Sequence, residues 1–286
     1  MTQPIEIMES GDAFGAEVRG VDLAQPMTDE TFAIIENAFN THSVLCIRNQ
    51  CVPEPQYLSF ARRFGEVEQL FLTHYAHPDY PEILYVSNIK ENGRDIGHAD
   101  AGRVWHSDMS YAARPPRATM LYALEVPMEN GQALGATNFA SATLAYESLS
   151  DEMKARLEGL KAVHWVAGRR KKTGTGTQDN ALREQQPKQL HPVARTHPFT
   201  GRKSLYVNQG ECIDIEGIET DEALKLIEEL SDLVIEPRFR HTHHWQVGDV
   251  LMWDNCAVQH LATFDYQWPQ HRRHMQRITV GGSAPY

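Results

Sequence analysis

The sequence predicts a mainly β protein with peripheral helices, arranged as a sandwich or jelly roll. Many short apolar segments of strand-like pattern are separated by turns, whereas only a few segments repeat apolar residues at helical spacing. Hydrophobic residues make up 41% of the 286-residue chain, enough for a large core. Because no change in composition marks a boundary, we expect one domain over residues 1–286.

The first half of the chain contains two predicted helices. Residues 15–23 alternate apolar and polar side chains, as a half-buried strand does. Thr28 or Asp29 then caps a helix that carries Phe32 and Phe39 on one face. A second helix opens at Pro53 and Pro55 and ends near Gly65. The apolar segments 43–48, 82–89 and 115–127 are predicted strands.

The second half repeats this pattern around one unusual segment. Residues 169–189 are basic at their start and rich in Gly, Thr and Gln, so they cannot bury a core and predict a mobile lid. Thr220 is the predicted cap of a helix whose stripe includes Leu224, Ile227 and Leu230. The predicted strands here cover 191–198, 203–208, 234–241 and 248–255.

Composition excludes several classes of protein. The chain has 27 Lys and Arg against 38 Asp and Glu, a net charge of −11 that disfavours nucleic acid as a partner. No apolar run reaches the length of a membrane span, and the N-terminus lacks a secretory pattern. The four cysteines lack CxxC spacing, so we expect a reducing, cytoplasmic location.

A candidate metal site begins at WHSD, where His106 and Asp108 are two residues apart. On a strand such residues project from one face, so an imidazole and a carboxylate could bind one ion. Alone, this triplet is more often a surface His near a solvated Asp. His260, which follows a buried strand and a polar turn, completes two His and one carboxylate and shifts the balance toward metal binding.

This ligand set favours Fe(II). Two His and one carboxylate occupy one face of an octahedron and leave three positions open, as in non-haem iron oxygenases. A structural zinc site would be closed by four ligands, usually including Cys, and Mg²⁺ or Ca²⁺ prefers oxygen ligands.

Two arginines downstream of His260 form a candidate carboxylate receptor. On a strand, Arg273, Met275 and Arg277 share one face, and the Met indicates that this face is partly enclosed. A buried guanidinium requires an anion, and its planar fork suits the carboxylate of an organic acid. For the neighbouring Arg272 we favour instead a surface ion pair with an acidic residue.

Taken together, the sequence resembles the TauD/TfdA family of Fe(II)- and 2-oxoglutarate-dependent dioxygenases. The resemblance rests on motifs in the family order: GAEVRGVDL, WHSD, GATNFASATLAYESLS, HPVARTHPFTGRKSLYVN, GDVLMWDNCAVQH and RRHMQRIT. It implies a cupin-like double-stranded β-helix, the jelly roll of that family, and a homo-oligomer. It also implies Fe(II) as cofactor, with 2-oxoglutarate and O₂ as co-substrates.

The resemblance also assigns roles to residues. His106, Asp108 and His260 match the iron ligands, Thr137 matches a Thr that contacts 2-oxoglutarate, and Arg273 matches the Arg that holds its distal carboxylate. Arg277 matches a second Arg, which in taurine-type members faces the anionic group of the substrate. The implied reaction converts 2-oxoglutarate to succinate and CO₂ and hydroxylates a small organic anion such as an aryloxyalkanoate or a sulfonate, with cleavage of an ether or C–S bond where the hydroxylated product is unstable.

Four further residues are candidate substrate contacts. His77 and Tyr80 in HPDYP stand where taurine-type enzymes have two substrate residues. Met109 either lines an apolar substrate pocket or packs in the core, and Asn208 either approaches substrate or terminates a strand. Two other classes of function stay open, a metal-dependent hydrolase that uses the same triad and a non-catalytic jelly-roll binder of small molecules.

Overall fold

The computed structural model describes residues 4–70, 72–167 and 185–286. Its strands are short and its helices few, as the sequence predicts. In chain order the strands are β1 (Glu6–Glu9), β2 (Ala16–Arg19), β3 (Val44–Ile47), β4 (Val67–Glu68), β5 (Leu84–Ser87), β6 (Lys90–Glu91), β7 (Arg94–Asp95), β8 (Ala118–Glu125), β9 (Met128–Glu129), β10 (Gln132–Ala133), β11 (Thr137–Ser141), β12 (Lys161–His164), β13 (Gln189–Pro192), β14 (Ala194–Thr196), β15 (Lys203–Leu205), β16 (Cys212–Ile215), β17 (Arg240–His243), β18 (Val250–Asp254), β19 (Val258–Ala262) and β20 (His274–Val280). The helices are α1 (Asp29–His42), α2 (Glu54–Arg62), α3 (Ala142–Glu147), α4 (Asp151–Leu157) and α5 (Thr220–Val234).

One large sheet joins strands from both ends of the chain. Its order is β1-β2-β3-β18-β8-β20-β4, and β5 also pairs with β20. All neighbours are antiparallel except β2 and β3. A second sheet, β17-β11-β19, packs over one face of the first, and a turn at residues 255–257 leads the chain from β18 in the first sheet to β19 in the second.

The side chains of β8 point alternately to the two faces of the large sheet and so join two separate apolar clusters. Met120 and Tyr122 point to one face, where they join the cluster formed with α1 and α2. Leu121 and Ala123 point to the other face and pack with Phe139 of β11, in the space between the two sheets. Because strand side chains alternate between faces, Thr119 lies on the same inner side as Leu121. This inner side holds the candidate site.

The helix predictions are confirmed, with changes at both ends of α5. Thr28 caps α1, its side chain accepting a hydrogen bond from the Thr31 backbone. The predicted strand over 234–241 is wrong in its first part, because α5 continues to Val234, a 3₁₀ turn follows over Pro237–Phe239, and only Arg240 starts a strand. The apolar stripe of α5 extends one turn further than predicted, since Val234 lies four residues beyond Leu230 and is fully buried. Its N-cap is Glu219 rather than Thr220.

The predicted lid falls mainly outside the described residues. Residues 169–184 are not described, and the chain re-enters at 185 and forms β13 from Gln189. Within the described ranges, no helix is both long and apolar enough to cross a membrane.

Several histidines are buried in the core without charge. His164 is fully buried, and burial together with the nearby His191 lowers its pKa to about 3. Burial also lowers the pKa of His191 and of His243. Each of these imidazoles is therefore neutral in the folded protein at a pH where an exposed imidazole takes up a proton.

We predict that the metal-free protein loses stability as the pH falls below about 6.5. Between the ordinary pKa of His and the pKa near 3 of buried His164, the unfolded chain binds a proton that the folded chain does not, so the free energy of unfolding rises with pH. The slope is up to about 1.4 kcal/mol per pH unit for each such His. Urea unfolding in EDTA at a series of pH values measures it. His164→Gln should flatten the slope, whereas the same change at exposed His244 should leave it unaltered.

Candidate active site

The two histidines meet because their backbones pair. His106 lies beside His260 of β19 in an isolated antiparallel bridge, with N–H···O distances of 3.2 and 2.9 Å. Their ring centroids are 4.2 Å apart. The prediction from the HxD spacing assumes strand geometry around His106, but this segment contributes only the one bridge, since residues 107–112 turn away. The structure thus joins His106 to His260 through the backbone of the second sheet.

Asp108 completes a compact three-residue cluster. Its Oδ1 is 3.7 Å from Nε2 of His106, and its Oδ2 is 3.9 Å from Nε2 of His260. All three residues are buried. The arrangement places two imidazole nitrogens and one carboxylate around a common point. It fits a divalent ion that has protein ligands on one side and open coordination positions on the other.

The tautomer of His106 suits metal binding. Its Nδ1 lies 2.7 Å from the carbonyl oxygen of Val104, so Nδ1 carries the proton and the Nε2 lone pair faces the cluster. Burial, with His106 nearby, lowers the pKa of His260 to about 3, which keeps that imidazole neutral. Neutral imidazole is the form that binds a metal.

Arg277 lies against the carboxylate of the cluster. Its Nη2 is 3.0 Å from Oδ1 of Asp108, and its Nε donates to the hydroxyl of Thr279. Burial alone would raise the pKa of Asp108, but the charge of Arg277 holds it well below the usual range. Asp108 is therefore ionised, as a metal ligand must be.

Arg273 occupies a buried position walled by aromatic rings. Its guanidinium carbon is 5.9 Å from the ring centroids of both Trp245 and Tyr266. Burial lowers the pKa of Arg273, with Tyr266 acting in the opposite direction. The described residues provide no carboxylate partner for this cation and leave its Nε without a hydrogen bond. A buried guanidinium in these surroundings fits a bound organic anion.

Thr137 begins β11 next to this arginine pocket. The indole N–H of Trp245 donates to Oγ1 of Thr137 over 3.0 Å, so the hydroxyl hydrogen of Thr137 remains available for another acceptor. Trp245 and Tyr266 were not predicted, because neither belongs to a motif with a recognisable ligand role. The spacing of thirteen residues between His260 and Arg273 is the only sequence feature that draws attention to the stretch containing Tyr266.

The family model for "Taurine catabolism dioxygenase TauD, TfdA family" matches residues 6–279. The chain belongs to the TauD/TfdA family. It is accordingly a 2-oxoglutarate-dependent dioxygenase with the jelly-roll fold of that family, which confirms the predicted resemblance, fold class and enzyme class.

Curated relatives and solved structures match along nearly the whole chain. Pentalenolactone F synthase of Streptomyces arenae is 33% identical over 282 residues, covering 94% of this chain and 92% of the relative. The alpha-ketoglutarate-dependent 2,4-dichlorophenoxyacetate dioxygenase of Cupriavidus pinatubonensis is 32% identical over 278 residues, covering 93% and 94%. The crystal structure of AAD-2 in complex with Mn(II) and N-oxalylglycine superposes with a TM-score of 0.81 at 29% identity, covering 99% of both chains.

His77 and Tyr80 do not join the cluster of this TauD/TfdA member. Nδ1 of His77 accepts backbone N–H groups within its own loop, and its Nε2 is 3.8 Å from Glu54. Glu54 in turn accepts a hydrogen bond from Gln276. Since Gln276 and Arg277 are consecutive on β20, they point to opposite faces, so His77 lies across the sheet from Asp108. Tyr80 packs against the apolar cluster on that same side of the sheet, with α1 and α2. The structure therefore does not bring these two residues to the three-residue cluster, and their role as substrate contacts stays a prediction.

The other two candidate substrate residues lie closer to the metal cluster. Met109 follows Asp108 directly and has a φ of 47°, a left-handed conformation that few residues other than glycine adopt. Asn208 is buried, and its Oδ1 accepts the backbone N–H of Glu211. Asn208 therefore holds the turn over residues 208–211, three residues beyond the end of β15, and its contact with substrate stays a prediction.

We predict that Gly135→Ala weakens binding of 2-oxoglutarate. Gly135 has a φ of 72°, and a Cβ there would lie 2.9 Å from the Tyr266 ring and 3.3 Å from Nε of Arg273. The added methyl group must displace one of the two, so we expect roughly a tenfold higher Kd, or about 1.4 kcal/mol, by calorimetry.

Gly131→Ala is the matched control for this change. Gly131 has a similar φ of 79°, but a Cβ there meets nothing within 4 Å. Both variants carry the conformational strain of a left-handed alanine, about 1–2 kcal/mol in stability. Equal Kd values for 2-oxoglutarate in the two variants would contradict a co-substrate pocket beside Gly135.

Proposed function

We propose that this dioxygenase uses Fe(II) and 2-oxoglutarate to hydroxylate a small organic anion, releasing succinate and CO₂. The observation that carries the proposal is the pairing of a buried His106–Asp108–His260 cluster with a buried Arg273 that has no anion partner among the described residues. The mixed nitrogen and oxygen donors suit Fe(II). The similar protein AAD-2 holds Mn(II) and N-oxalylglycine, a compound with the two carboxylates and the α-oxo group of 2-oxoglutarate.

Each residue of the site then has a role. His106, Asp108 and His260 hold the metal, and Arg273 with the hydroxyl of Thr137 binds the distal carboxylate of 2-oxoglutarate. Bound Fe(II) supplies the activation of O₂ that couples decarboxylation of 2-oxoglutarate to oxidation of the substrate. The rings of Trp245 and Tyr266 keep water from the Arg273 ion pair, which strengthens it.

The proposed substrate is an aryloxyalkanoate, a sulfonate or a related acid. Arg277 is a cation beside the metal cluster. It already pairs with Asp108, and it would also attract the anionic group of a substrate. Met109, in its left-handed conformation next to Asp108, is proposed to line the apolar part of the substrate pocket. Relatives that act on 2,4-dichlorophenoxyacetate support this substrate class. Hydroxylation next to an ether oxygen or a sulfonate would lead to bond cleavage.

The two alternative functions lack a use for Arg273. A metal-dependent hydrolase needs the triad and water but no second organic acid, and a simple binding protein needs neither the open metal face nor the arginine pocket. Production of succinate from 2-oxoglutarate that requires both O₂ and Fe(II), screened over aryloxyalkanoates and sulfonates, tests the proposal. Turnover of neutral or cationic compounds only would overturn the anionic substrate class.

We predict that His106→Ala abolishes binding of Mn(II) at this site and reduces succinate formation by at least about a hundredfold, because two ligands cannot hold the ion. Calorimetry with Mn(II) and a succinate assay measure the two effects. The matched control is His42→Ala, which removes a histidine at the end of α1, outside the cluster. Full activity of His106→Ala would show that the metal assignment is wrong.

We predict that Arg273→Met raises the KM for 2-oxoglutarate by roughly a hundredfold, about 2.7 kcal/mol, because the distal carboxylate loses a charge-assisted pair. Arg272→Met is the control, since the neighbouring Arg272 is exposed and pairs with Glu125 at 2.6 and 2.8 Å, as expected from the sequence. Its KM should stay within about twofold of the wild type. Steady-state rates measured at varied concentrations of 2-oxoglutarate give the KM of each variant and show which arginine binds the co-substrate.

The location and assembly are also proposals. None of the four cysteines, all of which lie within the described residues, forms a disulfide, which supports a reducing cytoplasm. We further propose a single domain and a homo-oligomer. Light scattering tests the homo-oligomer.

A further inference from the structure

Two further buried clusters have the residue types of metal ligands. Cys46, His243 and Asp249 form one, and His197, Asp254 and Cys256 form the other. In the first, Asp249 is already bonded to the guanidinium of Arg48 and to Nε2 of His243. A guanidinium at 2.8 Å repels a second cation, so this cluster is an internal ion pair.

In the second cluster, the side chains of His197 and Asp254 are likewise engaged in hydrogen bonds within the protein. Nδ1 of His197 accepts the backbone N–H groups of Phe199 and Thr200, so the proton of its ring must lie on Nε2. That Nε2–H donates to Oδ2 of Asp254 at 2.7 Å, while Oδ1 of Asp254 accepts the backbone N–H of Cys256. These bonds hold the turn between β18 and β19.

The turn held in this way presents Asn255 to the metal cluster. Asn255 is fully buried, and its backbone N–H donates to the carbonyl of Arg117. Its side-chain carbonyl accepts the backbone N–H of Asp108 at 3.3 Å, and its amide N–H donates to Oγ1 of Thr119 at 3.0 Å. One side chain therefore contacts both the metal-binding residue and the strand β8 beneath it.

The direction of the next hydrogen bond follows from this contact. Because Thr119 already accepts from Asn255, its own hydroxyl hydrogen points to Oδ2 of Asp108, 2.7 Å away. The other oxygen, Oδ1, faces Arg277. Each oxygen of the carboxylate has a different protein donor, so the carboxylate cannot rotate without breaking one of these bonds.

We propose that Thr119 and Asn255 are positioning residues that set the orientation of the metal-binding carboxylate of Asp108. The proposal rests on the proposed function, since it assumes that Asp108 binds the metal. A carboxylate held at both oxygens would have to give up a hydrogen bond to bring both of them to one ion. We call the hydrogen bonds from Asn255 to Thr119 and from Thr119 to Asp108 the relay. The relay thereby favours metal binding through one oxygen of Asp108 and keeps coordination positions open for the co-substrate and O₂. Substitution of a residue that hydrogen-bonds a metal ligand typically lowers metal affinity 10- to 100-fold.

The test compares three substitutions at one position with a control. Thr119→Val keeps the shape but removes the hydroxyl, Thr119→Ser keeps the hydroxyl, and Thr119→Ala provides a smaller variant if the valine form does not fold. Thr143→Val is the control, because Thr143 is equally buried but lies on α3, outside the relay. Mn(II) affinity is measured by calorimetry, and the visible spectrum of the Co(II)-loaded protein reports the ligand number and geometry. Thermal unfolding of the metal-free proteins separates stability from binding.

We expect Thr119→Val and Thr119→Ala to bind Mn(II) at least about tenfold more weakly and to shift the Co(II) spectrum, and Thr119→Ser to restore both toward the wild type. Thr143→Val should match the wild type in both. If Thr119→Val retains wild-type affinity and spectrum, the relay is refuted while the proposed function stands. If the wild-type protein binds no Mn(II) and His106→Ala changes nothing, the proposed function itself fails.

Discussion

The structure depends on the burial of one ionised carboxylate. Asp108 is almost fully enclosed, and an unpaired charge there would be costly to keep. Arg277, the hydroxyl of Thr119 and two imidazoles surround it, and the charge of Arg277 holds its pKa well below the usual range. Every one of these groups comes from a different part of the chain, so forming the site requires both sheets of the jelly roll to assemble.

Buried polar clusters support the two ends of the site in a similar way. At the metal end, His197 and Asp254 hold the turn that carries Asn255. At the co-substrate end, Asp249 bonds His243, whose ring packs edge-on against Trp245, the donor to Thr137. Their ligand-like composition arises because buried His and Asp must satisfy each other, and both clusters lie behind residues that we propose to bind metal or 2-oxoglutarate.

The two arginines of β20 illustrate how one strand face can serve two purposes. Arg273 lies between aromatic rings with no described carboxylate partner, which suits the capture of a free acid. Arg277 is already paired with Asp108, so it stabilises the carboxylate of this proposed metal ligand before any substrate arrives. A substrate anion drawn to Arg277 would therefore share it with Asp108, which ties substrate binding to the metal cluster through a single guanidinium.

The residues alone were enough to predict the strand-rich fold, the capped helix α1, the candidate metal triad and the enclosed face of Arg273, Met275 and Arg277. The strands, the helix and the arginine face follow from local periodicity and capping chemistry, which act within a few residues, whereas the triad follows from the order of motifs along the chain. The remaining features depend on how the two sheets pack. This packing places His77 across the sheet from Asp108, because consecutive residues of β20 face opposite sides of the sheet. It also brought Trp245, Tyr266, Thr119 and Asn255 to the site. Their roles depend on which distant strands become neighbours, and no spacing in the chain encodes that contact.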